Sequence, residues 1–573
     1  MKSRLLTTGL KYATGLLLIT ACFLYFRYVV PYRVCFKEQI QLFVFGSSYI
    51  FSYFSKPAAL ACLIGDFLTQ FLYFKTGAAT VVTLLLIIEW RLVYMTLRRF
   101  QIKQNVLLWS LLPVIVECFS IPEIFFPLAL PVSFILTLLT FVLYTKINAR
   151  ASMIAGIMLV PVLYIFAGFT AFLFLFLAIL YDIHCRQRRF IYWAILTGLA
   201  IALPVIFRHI FLLTLKQAYF YPYSGFMEAP GPVFMALIVF WDAVFGNLFT
   251  IDPTTAKNAT RRFYQAIAVA VPVLLIIGGY NLNKDDPQEN LSGMMIEANH
   301  ENWDKVLDIA EKTEMNSLIA ACYTNIALSN KSLLGDRLMD FYQPFANGLI
   351  PGVYGRDWAT IFASCDAYHH IGDMDMAQHA AMVGMISSPN QRSVRMVERL
   401  AEINQATGDM PAAAKYLRIL ESTLFHKRGE EAVKNQPIQD FFKEDILRKS
   451  TDIKASLELL TESNPDNLPA VNYLLCYYLL TKDIPAFFEA YTNYGKEKYV
   501  MAPKVYAEAL LIYFAAVKSP VEELAAYGIH PEIIQAFTEY TRLYEKSEGK
   551  LAPVQEKFPN TYWLFYHFAS KDN

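Results

Sequence analysis

Apolar and polar residues divide this chain into two parts. From Met1 to about Tyr280, runs of Leu, Ile, Phe and Val follow one another with short polar breaks. In lipid a segment must satisfy its own backbone polar groups, so an apolar run of about 20 residues is read as a spanning helix. Nine such segments stand out, at residues 12–30, 77–96, 105–121, 124–145, 151–167, 169–183, 190–210, 232–250 and 262–280. The fifth and sixth are short and share the stretch ASMIAGIMLVPVLYIFAGFTAFLFLFLAILY. One long tilted helix is the alternative there, and it would change the parity of the count. From Asn281 onward the pattern becomes amphipathic, with helix-length segments joined by short breaks and no alternation that predicts strands. The expected fold is all-α: a polytopic transmembrane helical domain over 1–282, then a soluble helical-repeat domain over 283–573.

Lys and Arg positions orient the spans. Lys2, Arg4 and Lys11 place the amino terminus in the cytoplasm. Arg98, Arg99 and Lys103 mark a cytoplasmic loop, as do Lys146 with Arg150, Arg186 with Arg188 and Arg189, and Lys257 with Arg261 and Arg262. The turns CFSIPE and AGFT carry neither residue type. These signals agree only if 31–76 is one long external loop. Pro57–Phe74 is apolar enough to cross, but a span there would put Arg98, Arg99 and Lys103 outside. Asp66, Thr69 and Gln70 share one helical face, and Glu38, Gln41, Ser48, Ser52 and Ser55 lie near one stripe. Both segments are therefore expected as helices in the outer interface, polar side to water. Arg27, Arg33, Lys37, Lys56 and Lys75 run against the charge rule. Nine spans carry the second half to the outer face, which for the inner membrane of a Gram-negative cell is the periplasm. The start, MKSRLLTTGLK before an apolar run, has the form of a signal peptide, and ITAC (Ile19 to Cys22) resembles a lipoprotein cleavage box. Because the run continues past the cysteine to Val30, an uncleaved first span is expected.

In the second half two units align. DWATIFASCDAYHHIGDMDMAQHAAMVGMISSP and SVRMVERLAEINQATGDMPAAAKYLRILESTLF each hold a G-D turn, with Gly372 and Gly408 36 residues apart and Ala377 and Ala413 at the same offset. Small residues where paired helices touch resemble the tetratricopeptide pattern. The segment Val471–Gly495 has the same helix-turn-helix shape, with Phe487 in place of the alanine. About six helix pairs stacked as a right-handed solenoid are expected, with a concave face suited to a protein partner. The plainer alternative is a structural helical domain with no separate partner. Trp303, Tyr416 and Tyr478 are expected in its core. The pair His369-His370 is expected at a solvated helix end, and Trp563, Phe565, Tyr566 and Phe568 as the cap of the last helix.

Charge and cysteine usage narrow the function classes. A net charge of +1 and the lack of a basic stripe interleaved with aromatics exclude a nucleic-acid partner. The eight cysteines are scattered, with no C-x-x-C, which argues against a zinc site or a disulfide framework. No P-loop, dinucleotide fingerprint, nucleophile elbow or zinc-protease helix is present. Candidate chemistry falls on the external loops of the membrane half. Glu38 and Asp66 are the candidate catalytic carboxylates. Arg208, His209 and Lys216, with Tyr219, Tyr221 and Tyr223, are the candidate binders of a lipid phosphate or sugar. A carboxylate, interfacial cations and an aromatic shelf would suit a polyprenyl-phosphate-linked sugar. Interfacial tyrosines and snorkelling cations need no ligand, which is the bland alternative. No metal site and no cofactor is evident; a divalent metal would enter only with the sugar-transfer reading. Glu89, Asp182 and Asp242 lie near span ends and face either water or a neighbouring helix.

Two resemblances follow. EQIQLFVFGSSYIFSYFSKPAALACLIGDFLTQFLYF and RLAEINQATGDMPAAAKYLRILESTLF resemble an uncharacterised family of Bacteroidetes membrane proteins that have a multi-spanning first half and a helical-repeat tail. That family commonly places glycines after the loop proline, whereas Pro57 here is followed by Ala58 and Ala59. The layout also resembles the C-superfamily glycosyltransferases, in which one span precedes a long outer loop holding an essential acid. Glu38 stands at that place, although F-K-E-Q is not the usual Asp context. Two functions are thus expected in the alternative: an envelope assembly protein with a protein-binding solenoid, or a lipid-linked-sugar glycosyltransferase.

Overall fold

The computed structural model describes residues 2–101, 106–223, 231–241, 270, 273–274, 276–283, 286–352, 357–427, 452–518 and 524–570. Every regular element among them is helical. The chain forms two units, one of Met1–Glu289 with Ser422–Lys427, the other of Asn290–Glu421 with Arg428–Asn573.

Among the described residues, four helical stretches of the first unit are long and apolar enough to cross a membrane: Tyr12–Val29, Lys75–Arg99, Arg150–His184 and Phe190–Ile210. The helices are α1 (Lys2–Leu24, continued by a π turn to Val29), α2 (Pro31–Gln39), α3 (Ser47–Ser52), α4 (Ala59–Thr69), α5 (Lys75–Arg99), α6 (Val106–Trp109) and α7 (Leu111–Ser120). Then follow α8 (Ala129–Tyr144), α9 (Ala149–Ala167), α10 (Ala171–His184), α11 (Phe190–Ile210), α12 (Leu215–Phe220) and α13 (Gly231–Trp241). Most of the segments expected at 232–250 and 262–280, and Asp242, lie outside the described residues. The stretch 150–184 is two helices. Gly168 breaks it with φ 71° and ψ −138°, and a Cβ there would fall 2.2 Å from the Tyr221 carbonyl oxygen. That carbonyl accepts the Phe169 N–H at 3.0 Å.

Helix α8 is the hub, packed on α4, α5, α9 and α10. Its approach to α4 is backbone-close: a Cβ on Gly65 would lie 2.4 Å from Ala129 N. This overturns the expectation that α4 lies with its polar face to water. Asp66, Thr69 and Gln70 are buried. The three-and-four spacing does define a face, but Gly65 lies on it and brings α8 there, and the polar groups find partners inside. Thr69 Oγ1 donates to the Gly65 carbonyl at 2.9 Å. Glu38 is buried too, whereas Ser48, Ser52 and Ser55 are exposed as expected. Ala58, before α4, has φ 57°, a left-handed conformation that glycine would hold at less cost.

Two of the cations that broke the charge rule are internal struts. Arg33 Nε donates to the Pro122 carbonyl at 3.1 Å, Nη1 to Asn283 at 3.0 Å and Asp286 at 2.5 Å, and Nη2 to Glu123 at 3.1 Å. One turn on, Lys37 Nζ donates to the carbonyls of Glu123, Ile124 (3.2 Å) and Phe126 (2.8 Å), one for each ammonium proton. Burial pushes Lys37 well below the usual lysine range. At the start of α2 the Glu289 carboxylate accepts the Tyr32 and Arg33 N–H groups at 2.7 and 2.9 Å, filling the open end of the helix.

The second unit repeats one turn. Helices Trp358–Ile371 and Met374–Ser387 meet at Gly372 (φ 88°), and Val394–Ala406 and Met410–Glu421 at Gly408 (φ 79°). Asp373 and Asp409 then cap the second helices, accepting the Met376 and Ala412 N–H groups at 3.2 and 3.1 Å. The same left-handed residue recurs without glycine at Glu301, Ser332 and Lys482. In each of those three, and at Gly372, the next residue's N–H reaches back five residues to a carbonyl, at 2.8–2.9 Å. Asp483 caps like Asp373, and Phe487 is as fully buried in that register as Ala377.

Asp366 ties three helices of this unit together. It accepts Tyr323 OH at 2.7 Å, Arg395 Nη2 at 2.5 Å and Arg399 Nη2 at 3.0 Å. Burial alone would raise its carboxyl, yet the two guanidiniums hold it below the usual aspartate range. His369 and His370 are not a solvated end. They are half-buried, bonded to Arg399 at 2.9 Å and to Ser329 at 2.8 Å, and burial pushes them down to about 3 and about 4. Tyr416, Tyr478 and Trp563 are buried; Trp303, Phe565, Tyr566 and Phe568 are partly so.

Candidate functional site

The candidate residues separate into a carboxylate–imidazole pair, a carboxylate–phenol chain and a set of unpaired cations. Glu38 ends α2, where Arg33 and Lys37 fix the helix from below. Its Oε1 lies 2.6 Å from His426 Nε2, and both side chains are only 8% exposed. The edge of His426 meets the Tyr73 ring at 5.1 Å, and Phe425 stacks on Tyr73 at 5.7 Å while touching Phe71 and Phe74. Backbone bonds seat the same segment: Phe45 N–H donates to the Ser422 carbonyl at 2.8 Å, and Leu424 N–H to Gln70 Oε1 at 3.3 Å. Gln70, expected to face water, thus serves as a buried acceptor.

Asp66 Oδ2 accepts Tyr53 OH at 2.8 Å; Tyr53 and Tyr49 hydroxyls are 3.0 Å apart, and Tyr49 OH lies 2.6 Å from the Leu42 carbonyl. Tyr221 OH lies within hydrogen-bonding reach of the Cys62 thiol, with Asp66 beside both. The loop that carries Tyr221 is held by Tyr164 OH donating to the Ala218 carbonyl at 2.6 Å and by the Phe169–Tyr221 bond. Tyr223 is buried against Phe169, and Tyr219 OH donates to the Ile201 carbonyl at 2.8 Å.

The structure therefore joins Asp66 with Tyr221, and Glu38 with a residue that sequence reasoning missed. His426 stands 388 positions from its partner, and no local signal marks it. Arg208, His209 and Lys216 form no ion pair with a described residue, and His209 and Lys216 are exposed. A carboxylate bonded to one imidazole nitrogen fixes the ring's orientation and stabilises its charged form, a geometry open to proton transfer and to a structural latch alike. Among the described residues no three of His, Cys, Asp and Glu converge as metal ligands, and all eight cysteines are free thiols.

No curated protein and no solved structure matches the chain. A family model does, over residues 7–569, and its description is a family of unknown function. With nearly the whole length matched, the chain belongs to that family, DUF6057.

Proposed function

We propose that this is a multi-pass protein of the inner membrane, with about nine spans, a cytoplasmic amino terminus and a periplasmic helical-repeat domain of tetratricopeptide type that serves as an assembly module of the envelope. Membrane residence is supported by apolar side chains that face outward at helical spacing. On α9, Ile154, Met158 and Val162 are exposed at intervals of four, and on α11 Ile191, Ile195, Ile206 and Ile210 are exposed. In water such faces would be costly; against lipid chains they cost nothing. The observation that carries the assembly reading over an enzyme is the engagement of the acids. Glu38 is held by His426 and Asp66 by Tyr53, and neither pairs with Arg208, His209 or Lys216. These groups act as struts of the loop.

A reporter fused after Lys284 tests the topology; activity in the cytoplasm would overturn it. A photo-crosslinking residue in place of exposed Ile386 tests the module, the expected result being one discrete adduct with another envelope protein. Adducts with lipid or self alone, there and at exposed Met382, would refute it. The lipid-linked-sugar glycosyltransferase is the second reading, favoured by the buried Glu38–His426 pair as a general base. Under it Glu38→Gln abolishes a cell-surface glycan; under the assembly reading that variant leaves glycans unchanged.

A further inference from the structure

Helix α5 carries a carboxyl in the middle of the first unit. Glu89 is 0% exposed, and Glu117 of α7 is 1% exposed. Their carboxyl groups lie within hydrogen-bonding reach of each other. Neither oxygen of Glu89 nor Oε2 of Glu117 has any other hydrogen-bond partner. Among the described residues no cation acts on Glu89: the charge it feels comes from Glu117, and Cys118, beside Glu117 in the chain, is a thiol. Glu89 is thus not at a water-facing span end.

Two carboxylates cannot both stay ionised at hydrogen-bond distance in an apolar interior. Each would forfeit its hydration, and each would repel the other with little screening. Two deprotonated carboxylates also have no proton with which to bond. The contact requires one.

A second observation extends the site along the helix. Thr96, seven residues on from Glu89 and so on the same face, is fully buried, and its Oγ1 has no partner. On the adjoining stripe Thr83 Oγ1 and Trp90 Nε1, again seven apart, are buried and without partners. Other threonines of this unit turn back on their own helix, Thr69 to Gly65, Thr80 to Thr76 and Thr140 to Leu136, or bond to a neighbouring element, as Thr137 does to Thr170. Those of α5 at 83 and 96 do not. From Thr83 to Thr96 the helix rises about 20 Å, much of the thickness of a hydrocarbon core.

We propose that Glu89 and Glu117 form an intramembrane proton-binding site, which holds one proton between them at neutral pH. Separating α5 from α7 would expose the pair and release the proton, so a rearrangement of these helices is protonation-linked. The site rests on the membrane placement proposed above, but its test reads the carboxyls directly. Infrared spectroscopy of the full chain in lipid nanodiscs detects the carbonyl stretch of a protonated carboxyl. The expected result is a component of that band at neutral pH, shifted by deuteration, displaced in Glu89→Gln and missing from the Glu89→Gln/Glu117→Gln double variant when its spectrum is subtracted from that of the wild type, the remainder being Glu508 and any other buried acid. Glutamine keeps the shape and removes the charge, and Asp182→Asn, on α10, serves as the control that leaves the band in place. A wild-type-minus-double-variant spectrum with no carboxyl component at neutral pH overturns the proposal. If the variants fail to fold, labelling of the wild-type chain with a hydrophobic carbodiimide decides. Modification at Glu89 or Glu117 that declines towards alkaline pH supports the site, and none at either residue refutes it. A failed topology assay with an intact band would sink the membrane placement and leave the proton site standing.

Discussion

Glu508 gives the second unit a pH dependence of defined sign. It lies in the helix Lys504–Val517, 2% exposed, and its Oε2 accepts the Tyr562 N–H at 2.6 Å. Its backbone carbonyl accepts Trp563 Nε1 at 2.9 Å, so the helix Tyr562–Phe568 is seated on this residue. Burial pushes the carboxyl up to about 7 from the ordinary 4.5, against the smaller opposing pulls of the Tyr562 N–H and Lys504. The folded state therefore binds its proton more tightly than an opened one does. The contribution of this group to stability is complete below pH 4.5, is lost as pH rises to about 7, and stays lost above that. At about 1.4 kcal/mol per pH unit, the loss across the window is about 3 kcal/mol.

Hydrogen exchange measured by mass spectrometry reads this locally in the full chain. After correction for intrinsic rates, protection of peptides spanning 558–568 should fall on the order of 70-fold between about pH 5 and pH 8, provided opening hydrates Glu508. Glu508→Gln keeps an oxygen for Tyr562 and cannot ionise. Its protection should be flat with pH, up to about 1 kcal/mol below wild type at the acid end and above it at the alkaline end. Protection in the wild type that is constant or rises over this range would refute the reasoning. So would a variant that keeps the slope.

Replacing Arg33 with Met leaves Asp286, Glu123 and the Pro122 carbonyl without their shared donor, and should cost at least about 3 kcal/mol, read as lost folded yield and a lower melting temperature in detergent. Asp373→Ala and Asp409→Ala should each remove about 1 kcal/mol from the helix they cap, with the larger effect at buried Asp373; exchange of 374–387 and 410–421 measures both. Glu301→Gly should stabilise by up to about 1 kcal/mol, because an exposed residue at φ 57° is relieved of strain. A double-mutant cycle on Glu38→Gln and His426→Ala should give a coupling of about 1 kcal/mol or more in the exchange of 422–427; additivity would show that their contact stabilises nothing.

The all-helical fold and the change of character near Tyr280 could be read from periodicity alone, because each is a local property of the chain. The recurring left-handed turn was legible only where glycine marks it. Gly372-Asp373 and Gly408-Asp409 show the turn; Glu301, Ser332 and Lys482 adopt the same left-handed backbone with residues that carry no such mark. Their strain, on the order of 1 kcal/mol each, is outweighed by the burial of the helices they join, so tertiary packing holds the turn where the sequence does not mark it. Phe487 in the alanine register adds to the disguise, since the site accepts bulk when its neighbours yield room.

The expectation that these polar faces meet water failed for a different reason. A polar stripe on an apolar helix predicts a face, but not what the face meets. On α4 the deciding residue is Gly65, whose missing side chain admits the backbone of α8 and turns Asp66, Thr69 and Gln70 inward. On α2 the charges that contradicted the topology, Arg33 and Lys37, were the better clue: a cation at the wrong side of a membrane needs a local partner, and both have several. The same reasoning applied to acids would have singled out Glu89 and Glu117. Glu117 sits alone among apolar residues in the sequence and Glu89 has only Arg91 near it, on the exposed side of the helix, and two buried acids on neighbouring helices satisfy each other only by sharing a proton.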